Sequence, residues 1–310
     1  MIQAIELGKV AVLYGGNSSE REISLIGGRA VHAALCAAGI DAHLLDTGDP
    51  NRIWTLKDEH FSRAFVMLHG RGGEDGEIQA ILQWLGIPYT GSRVLACALA
   101  MDKVVCKKVW QSAGLPVLAD VLVTPESRFE TLVEQLHCQD FVIKPALEGS
   151  SVGVSRVKNQ EQLAAAIPFA GGARAKIMAE PWIVGRELTY GIVNDTVLPA
   201  IEIVAGNDHD FYDYDAKYHA ANTQYLCPAP IDAALDARCR EIAFAAFQAI
   251  GARGWGRVDM IVDAQNRPYL LEINLVPGMT THSLVPMAAQ QIGMDFSALV
   301  QSILAQTLTS

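Results

Sequence analysis

Apolar positions along the first hundred residues alternate between short runs and helical spacing. Lys9 to Tyr14 is a short β-rich run, Gly15-Gly16-Asn17-Ser18-Ser19 breaks it, and a helical pattern then runs to Ala38 with Gly39 as its stop. Ile40 to Leu45 and Ala64 to Leu68 read as strands, Gly70 to Gly76 as a glycine-rich loop, and Glu77 to Leu85 as a helix closed by Gly86. Ile87-Pro88-Tyr89 begins another extended piece. This alternation predicts a parallel α/β domain over residues 1 to about 100. Ligands in such sheets sit beyond the carboxyl ends of the strands, where both glycine-rich loops fall.

Farther along, the pattern predicts a helix from Asp102 to Gln111 carrying Lys103, Lys107 and Lys108, and a strand Phe141 to Lys144. The loop Glu148 to Gly153 follows, and Val152, Val154 and Val157 alternate as an extended segment. Strands are expected around Ile177 to Glu180 and Glu187 to Val193, a polar and aromatic loop over Asp208 to Gln224, and a helix Asp232 to Ile250. Two strands, Trp255 to Asp263 and Pro268 to Asn274, flank a short turn. Phe296, Leu299, Val300, Ile303 and Leu304 repeat at helical spacing.

Composition narrows the function. With 24 Lys plus Arg against 34 Asp plus Glu, the net charge is −10, and no basic cluster overrides it. A nucleic-acid partner is not expected. Six scattered cysteines without a C-x-x-C pair point to reduced thiols in a cytoplasm. The first nine residues, which include Glu6, lack an export-signal pattern. The longest uncharged run, Ile273 to Met294, contains Pro277, Gly278 and Pro286, so no membrane association is expected.

The clearest chemical pattern is Arg257-Val258-Asp259 followed by Glu272-Ile273-Asn274. Residues two apart on a strand share a face. A two-residue loop at Gln265-Asn266 would set Asp259 opposite Glu272 and Arg257 opposite Asn274. Opposed like charges are unfavourable unless a cation lies between them. Carboxylate and carboxamide oxygens are the donors that magnesium prefers. A solvated hairpin face with Arg257 neutralising the acids accounts for the spacing equally well.

The loop Glu148 to Gly153, just after Lys144, has the small residues of a phosphate cover, or of an ordinary hairpin turn. Gly149, Ser151 and Gly153 also match the G-x-S-x-G hydrolase elbow, which requires a helix directly after the serine; the alternation that follows argues against one. Ser18 or Ser19 could cap the first helix, with Glu20 and Glu22 favoured by its dipole, or Glu20 could hold an ammonium group. His69-Gly70-Arg71 is either a turn or a donor set for a carboxylate.

These strings together resemble the ATP-grasp superfamily and, within it, the D-alanine–D-alanine ligase family. The resemblance rests on Gly15 to Glu22, Leu68 to Gly76, Tyr89 to Ser92, Met101-Asp102-Lys103, Lys144-Pro145 and Glu148 to Gly153. It continues through Phe211 to Tyr214, Ala216-Lys217-Tyr218, Gly254 to Arg257, Pro277 to Thr280 and His282-Ser283-Leu284. It implies an N-terminal α/β substrate domain (residues 1–100) followed by a two-part, α+β ATP-grasp fold (101–186 and 187–310). It further implies ATP as substrate, two Mg²⁺ ions for which Mn²⁺ can substitute, two D-alanine molecules, a cytoplasmic homodimer and a role in peptidoglycan precursor synthesis.

By that resemblance Lys103 and Lys144 touch the nucleotide phosphates under the Glu148, Ser150 and Ser151 loop. Glu180, Trp182 and Ile183 lie beside adenine with Phe211 also at the nucleotide, and Glu187 binds ribose. Asp259, Glu272 and Asn274 hold the metals. Glu20, linked through Ser150 and Tyr218, holds the first D-alanine's ammonium group; His69 lies near its carboxylate, and Lys217 reaches the transferred phosphate. Arg257 and the Gly278 N–H stabilise the oxyanion, while Ser283 and Leu284 bind the second D-alanine. Ala146, Leu147 and Leu275 depart from the family's usual residues. The related possibilities are another ATP-grasp carboxylate–amine ligase and a D-alanine–D-lactate ligase.

Overall fold

A computed structural model describes residues 7–149, 152–205, 223–280 and 283–309. Its first sheet is parallel, in the order β2 (Ala42–Asp46), β1 (Val10–Tyr14), β3 (Arg63–Val66), with Tyr89 bridging to Ala64 at its edge. Strand β1 stops at Gly15, whose φ is +76°. A Cβ there would lie 2.2 Å from Asp46 Oδ1, so glycine is required where the bidentate Arg21–Asp46 pair (2.9 and 2.6 Å) ties the loop down. Helix α1 (Arg21–Ala37) buries Val31 and Leu35 on this sheet. The helices Leu284–Gln290 and Phe296–Ala305 close the same core through Val285, Leu299, Val300 and Ile303.

The second sheet is antiparallel, in the order β4 (Val121–Val123), β7 (Ile177–Pro181), β5 (Phe141–Pro145), β6 (Ser155–Val157). Phe141 and Ile143 face a core built with Leu132, Leu136, Leu163 and Ile167 of the helices 129–136 and 160–169, while Val142 and Lys144 face a cavity. The third sheet runs β11 (Gln224–Leu226), β10 (Ile201–Val204), β8 (Gly185–Val193), β12 (Trp255–Asp263), β13 (Pro268–Asn274), with β9 (Thr196–Val197) on β8. Helix 94–101, helix 103–112 and helix 233–249 cover it, with Trp110 Nε1 donating to the Ala246 carbonyl at 2.9 Å. The two antiparallel sheets line opposite sides of one cavity.

Of the expected strands and helices, Glu77–Leu85, Trp255–Asp263 and Pro268–Asn274 recur with the expected ends and others with shifted ends. Ile40 lies in the turn before β2, and of the 152–157 alternation only Ser155–Val157 pairs, because Val152 and Gly153 form a turn. Strands 121–123, 201–204 and 224–226 and helices 94–101, 129–136, 160–169 and 284–290 were not expected; most are too short for a periodic signal. Most of the loop 208–224 lies outside the described residues. Among the described residues, no helix is long and apolar enough to cross a membrane.

Candidate active site

The hairpin of β12 and β13 pairs Arg257 with Asn274 and Asp259 with Glu272. The sequence reaches this register by another route than a two-residue loop. Asp263 pairs with Arg267 around Ala264-Gln265-Asn266, with Asn266 at φ +57°. The three-residue loop offsets the strands by one, and Leu271, which has no partner between Leu270 and Glu272, forms a bulge that restores the pairing. Without that bulge Glu272 would turn to the opposite face.

Each opposed acid carries its own cation. Arg257 donates from Nε and Nη2 to Asp259 at 2.8 and 2.6 Å, and Thr189 of β8 adds its hydroxyl. Lys103 lies 3.1 Å from Glu272 and donates to the Glu148 carbonyl at 2.7 Å. Asp259 and Glu272 line the cavity of about 450 Å³, and Glu272 and Asn274 line a smaller one of about 50 Å³ beside it. Two carboxylates and a carboxamide, all hard oxygen donors, thus converge next to open space, which fits magnesium.

Lys103, Lys144, Glu148, Glu180, Trp182, Ile183 and Glu187 line the larger cavity with those acids, against apolar Leu118, Val142, Ile203 and Leu271. Glu180 is 1% exposed and contacts both Lys144 and Lys107. Burial pushes its carboxyl up, but the two lysines outweigh burial and hold it below the ordinary range. The Arg156 guanidinium stacks 4.6 Å from the Trp182 ring and pairs with Asp140. Such a slot has apolar walls for a flat ring and lysines and acids at its far end.

Glu20 meets this region from the parallel sheet. Cβ atoms built on Gly70 and Gly149 would lie 3.0 and 3.3 Å from its Oε2, so its carboxylate is bracketed by both loops. It shares the small cavity with Glu74, Lys103, Glu148, Glu272 and Asn274. Neither Ser18 nor Ser19 caps α1. Glu20 is itself the N-cap, and the Ser18 hydroxyl instead donates to the His69 carbonyl at 2.7 Å, tying the two glycine-rich loops together. His69 is buried, with Nδ1 3.8 Å from Glu74 Oε1. Burial pushes the Glu74 carboxyl up, with the Glu20 charge acting in the same direction and His69 opposing.

Gly278, Ser283 and Leu284 are not among the residues that line these two cavities. Ser283 Oγ accepts from the Thr280 N–H at 2.9 Å, and a Cβ on Gly278 would come within 3.0 Å of that oxygen. Ser150, Ser151, Phe211, Lys217 and Tyr218 lie outside the described residues. Two of the departures are core residues: Ala146 packs with Val104 and Met178, and Leu275 is buried in the core of the third sheet. No helix directly follows Gly153, because the next element is β6.

Sequence reasoning missed Lys107, Asp120, Glu74, Thr189 and the Lys176–Asp102 pair at 2.7 Å. One signal was available for the first: Lys107 follows Lys103 by four residues and so shares its helix face. Asp120, Thr189 and the Lys176–Asp102 pair acquire partners only through long-range packing, whereas Glu74 meets Gly70 and His69 within its own loop.

Residues 109–305 match the family described as D-ala D-ala ligase C-terminus, and residues 55–92 the family described as D-ala D-ala ligase N-terminus. A D-alanine–D-alanine ligase of Saccharophagus degradans is 51% identical over 302 residues, 97% of this chain and 95% of that protein. One from Stutzerimonas stutzeri is 49% identical over 303 residues, 98% and 95% of the two chains. A crystal structure of the Bacillus anthracis D-alanine–D-alanine ligase superposes with a TM-score of 0.85 at 31% identity, covering 97% of each chain. A second, complexed with ATP, gives 0.82 at 28% identity and the same coverage. The cavity between two antiparallel sheets, the opposed acids at its end and these full-length matches agree, and the chain belongs to the D-alanine–D-alanine ligase family.

Proposed function

We propose that this chain joins two D-alanine molecules into D-alanyl-D-alanine, with ATP converted to ADP and phosphate, for peptidoglycan precursor synthesis in the cytoplasm. The observation that carries this reading is the continuity of three groups. Lys144, Glu180, Trp182, Asp259 and Glu272 line one slot, and Glu272 also lines a small cavity with Glu20. A nucleotide's terminal phosphate and an amino acid bound by its ammonium group would meet there.

The steps follow from these positions. A carboxylate is a poor electrophile for an amine, so the γ-phosphoryl group is first placed on the first D-alanine, making an acyl phosphate. Lys103 and Lys144 neutralise the phosphates, Glu187 binds ribose, and Trp182 and Ile183 flank adenine. Glu20 holds the ammonium group and His69 lies beside the carboxylate. Asp259, Glu272 and Asn274 would hold two Mg²⁺ ions, or Mn²⁺ in their place, which supply positive charge to the transferring group. The second amine then attacks the acyl carbon, Arg257 with the Gly278 N–H stabilises the oxyanion, and as the amine loses a proton the acyl C–O bond breaks and phosphate leaves. Ser283 and Leu284 orient the second D-alanine. Residues 148–153 and 208–222, including Ser150, Lys217 and Tyr218, keep water from the acyl phosphate. In this reading residues 1–100, 101–186 and 187–310 are the working units, and the protein is a homodimer.

Phosphate release from Mg-ATP with D-alanine, L-alanine, D-lactate or no addition, with products weighed by mass spectrometry, tests the proposal. Stoichiometric phosphate and a D-alanyl-D-alanine mass with D-alanine alone is the expected result. A depsipeptide mass with D-lactate overturns the second-substrate assignment, and phosphate release indifferent to D-alanine overturns the substrate pocket altogether.

A further inference from the structure

Lys107 is a lysine with almost no access to solvent. It is 1% exposed, lines no part of the nucleotide cavity, and lies against Glu180, itself 1% exposed, and 3.3 Å from Asp120. Lys144 contacts the same Glu180 carboxylate from the other side, and its side chain is 12% exposed where it lines the cavity. One buried acid therefore holds two lysines, one sealed in the protein and one facing the ligand.

An ammonium group is costly to bury and persists only with charged or hydrogen-bonding partners. The position of Lys107 is set by the backbone of its helix, which is anchored at its start by the Lys103 N–H on the Ala146 carbonyl (3.0 Å) and near its end by Trp110 on Ala246 (2.9 Å). Lys144 is on β5, whose alternate face opens to the cavity. A phosphate entering the cavity draws on Lys144. If Lys144 were the only cation beside Glu180, that move would strand a buried carboxylate. With Lys107 in place, Glu180 stays paired when Lys144 leaves.

We propose that Lys107 is a positioning residue of the nucleotide site: by holding the Glu180 carboxylate, it frees Lys144 for the phosphates. The inference rests on the nucleotide reading above and deepens it. Lys107 acts only through Glu180, so its effect must vanish when Glu180 is uncharged. Asp120 competes for the same ammonium group, so neutralising Asp120 must loosen Lys144 further.

The test is calorimetric titration of a non-hydrolysable Mg-ATP analogue into wild type, Lys107→Met, Glu180→Gln, the double variant and Asp120→Asn, each checked for folding by circular dichroism. Lys107→Met is expected to raise Kd at least tenfold, about the effect of part of a broken buried pair. In the Glu180→Gln background the same change is expected to alter Kd by less than about twofold. KM for D-alanine at saturating ATP stays unchanged, a split that general loss of packing would not produce. A folded Lys107→Met with wild-type Kd, or an equal loss in both backgrounds, overturns the inference. Should Lys107→Met fail to fold, Asp120→Asn decides: tighter binding supports the inference, and unchanged or weaker binding overturns it. A wild-type chain that binds no analogue overturns the nucleotide reading itself, which is a different failure.

Discussion

The proposed nucleotide slot and the proposed first-substrate pocket differ in the charges that line them. In the slot Glu180 has Lys107 and Lys144, Asp259 has Arg257, and Glu272 has Lys103. Around the pocket, Glu20 and Glu74 share one small cavity with Glu148 and Glu272, and Glu74 is half-buried beside a histidine, its carboxyl pushed up by desolvation and by the Glu20 charge. A slot already balanced by internal pairs can exchange its cations for the charges of a polyphosphate and metal ions without stranding any group. A pocket with surplus negative charge suits an ammonium group.

Breaking the slot side should have the largest effect. Arg257→Met removes the donor of Asp259 and the proposed oxyanion partner together, and kcat in a phosphate-release assay should fall about 10²- to 10³-fold. Glu20→Gln sharpens the contrast. It should raise KM for D-alanine about tenfold or more, the scale of a lost charged hydrogen bond, and leave the Kd of a non-hydrolysable ATP analogue within about twofold. Equal losses of both affinities would mean that the two regions are not separable.

Glu74→Gln probes the surplus charge through pH. Because the folded carboxyl titrates above its ordinary value of 4.5, the folded chain retains a proton that the unfolded chain has lost. The stability this confers is present below that value and is lost as pH rises through the folded pKa. Thermal melts from pH 4 to 8 should show the variant gaining on wild type as pH increases. The smallest effect is at the hairpin that aligns the slot. Asn266 is exposed at φ +57°, so Asn266→Ala should cost about 1 kcal/mol in chemical denaturation, with Asn266→Gly close to wild type.

Sequence alone determined a great deal here. The parallel sheet was legible from strand–helix alternation punctuated by glycines, and the shared faces of Arg257 with Asp259 and of Glu272 with Asn274 from the two-residue period of strands. Both are local signals that any window of the chain carries. Tertiary structure decided the rest. The turn was one residue longer than spacing suggested, and only packing of β13 could place the compensating bulge at Leu271. The C-terminal helices cover the N-terminal sheet, a contact between residues far apart in the chain. Lys107 and Glu180, 73 positions apart, become partners because helix 103–112 lies against β7, with Val104 packed on Met178. Periodicity reports which face of an element is buried. Which charge waits on the other side depends on how those faces meet.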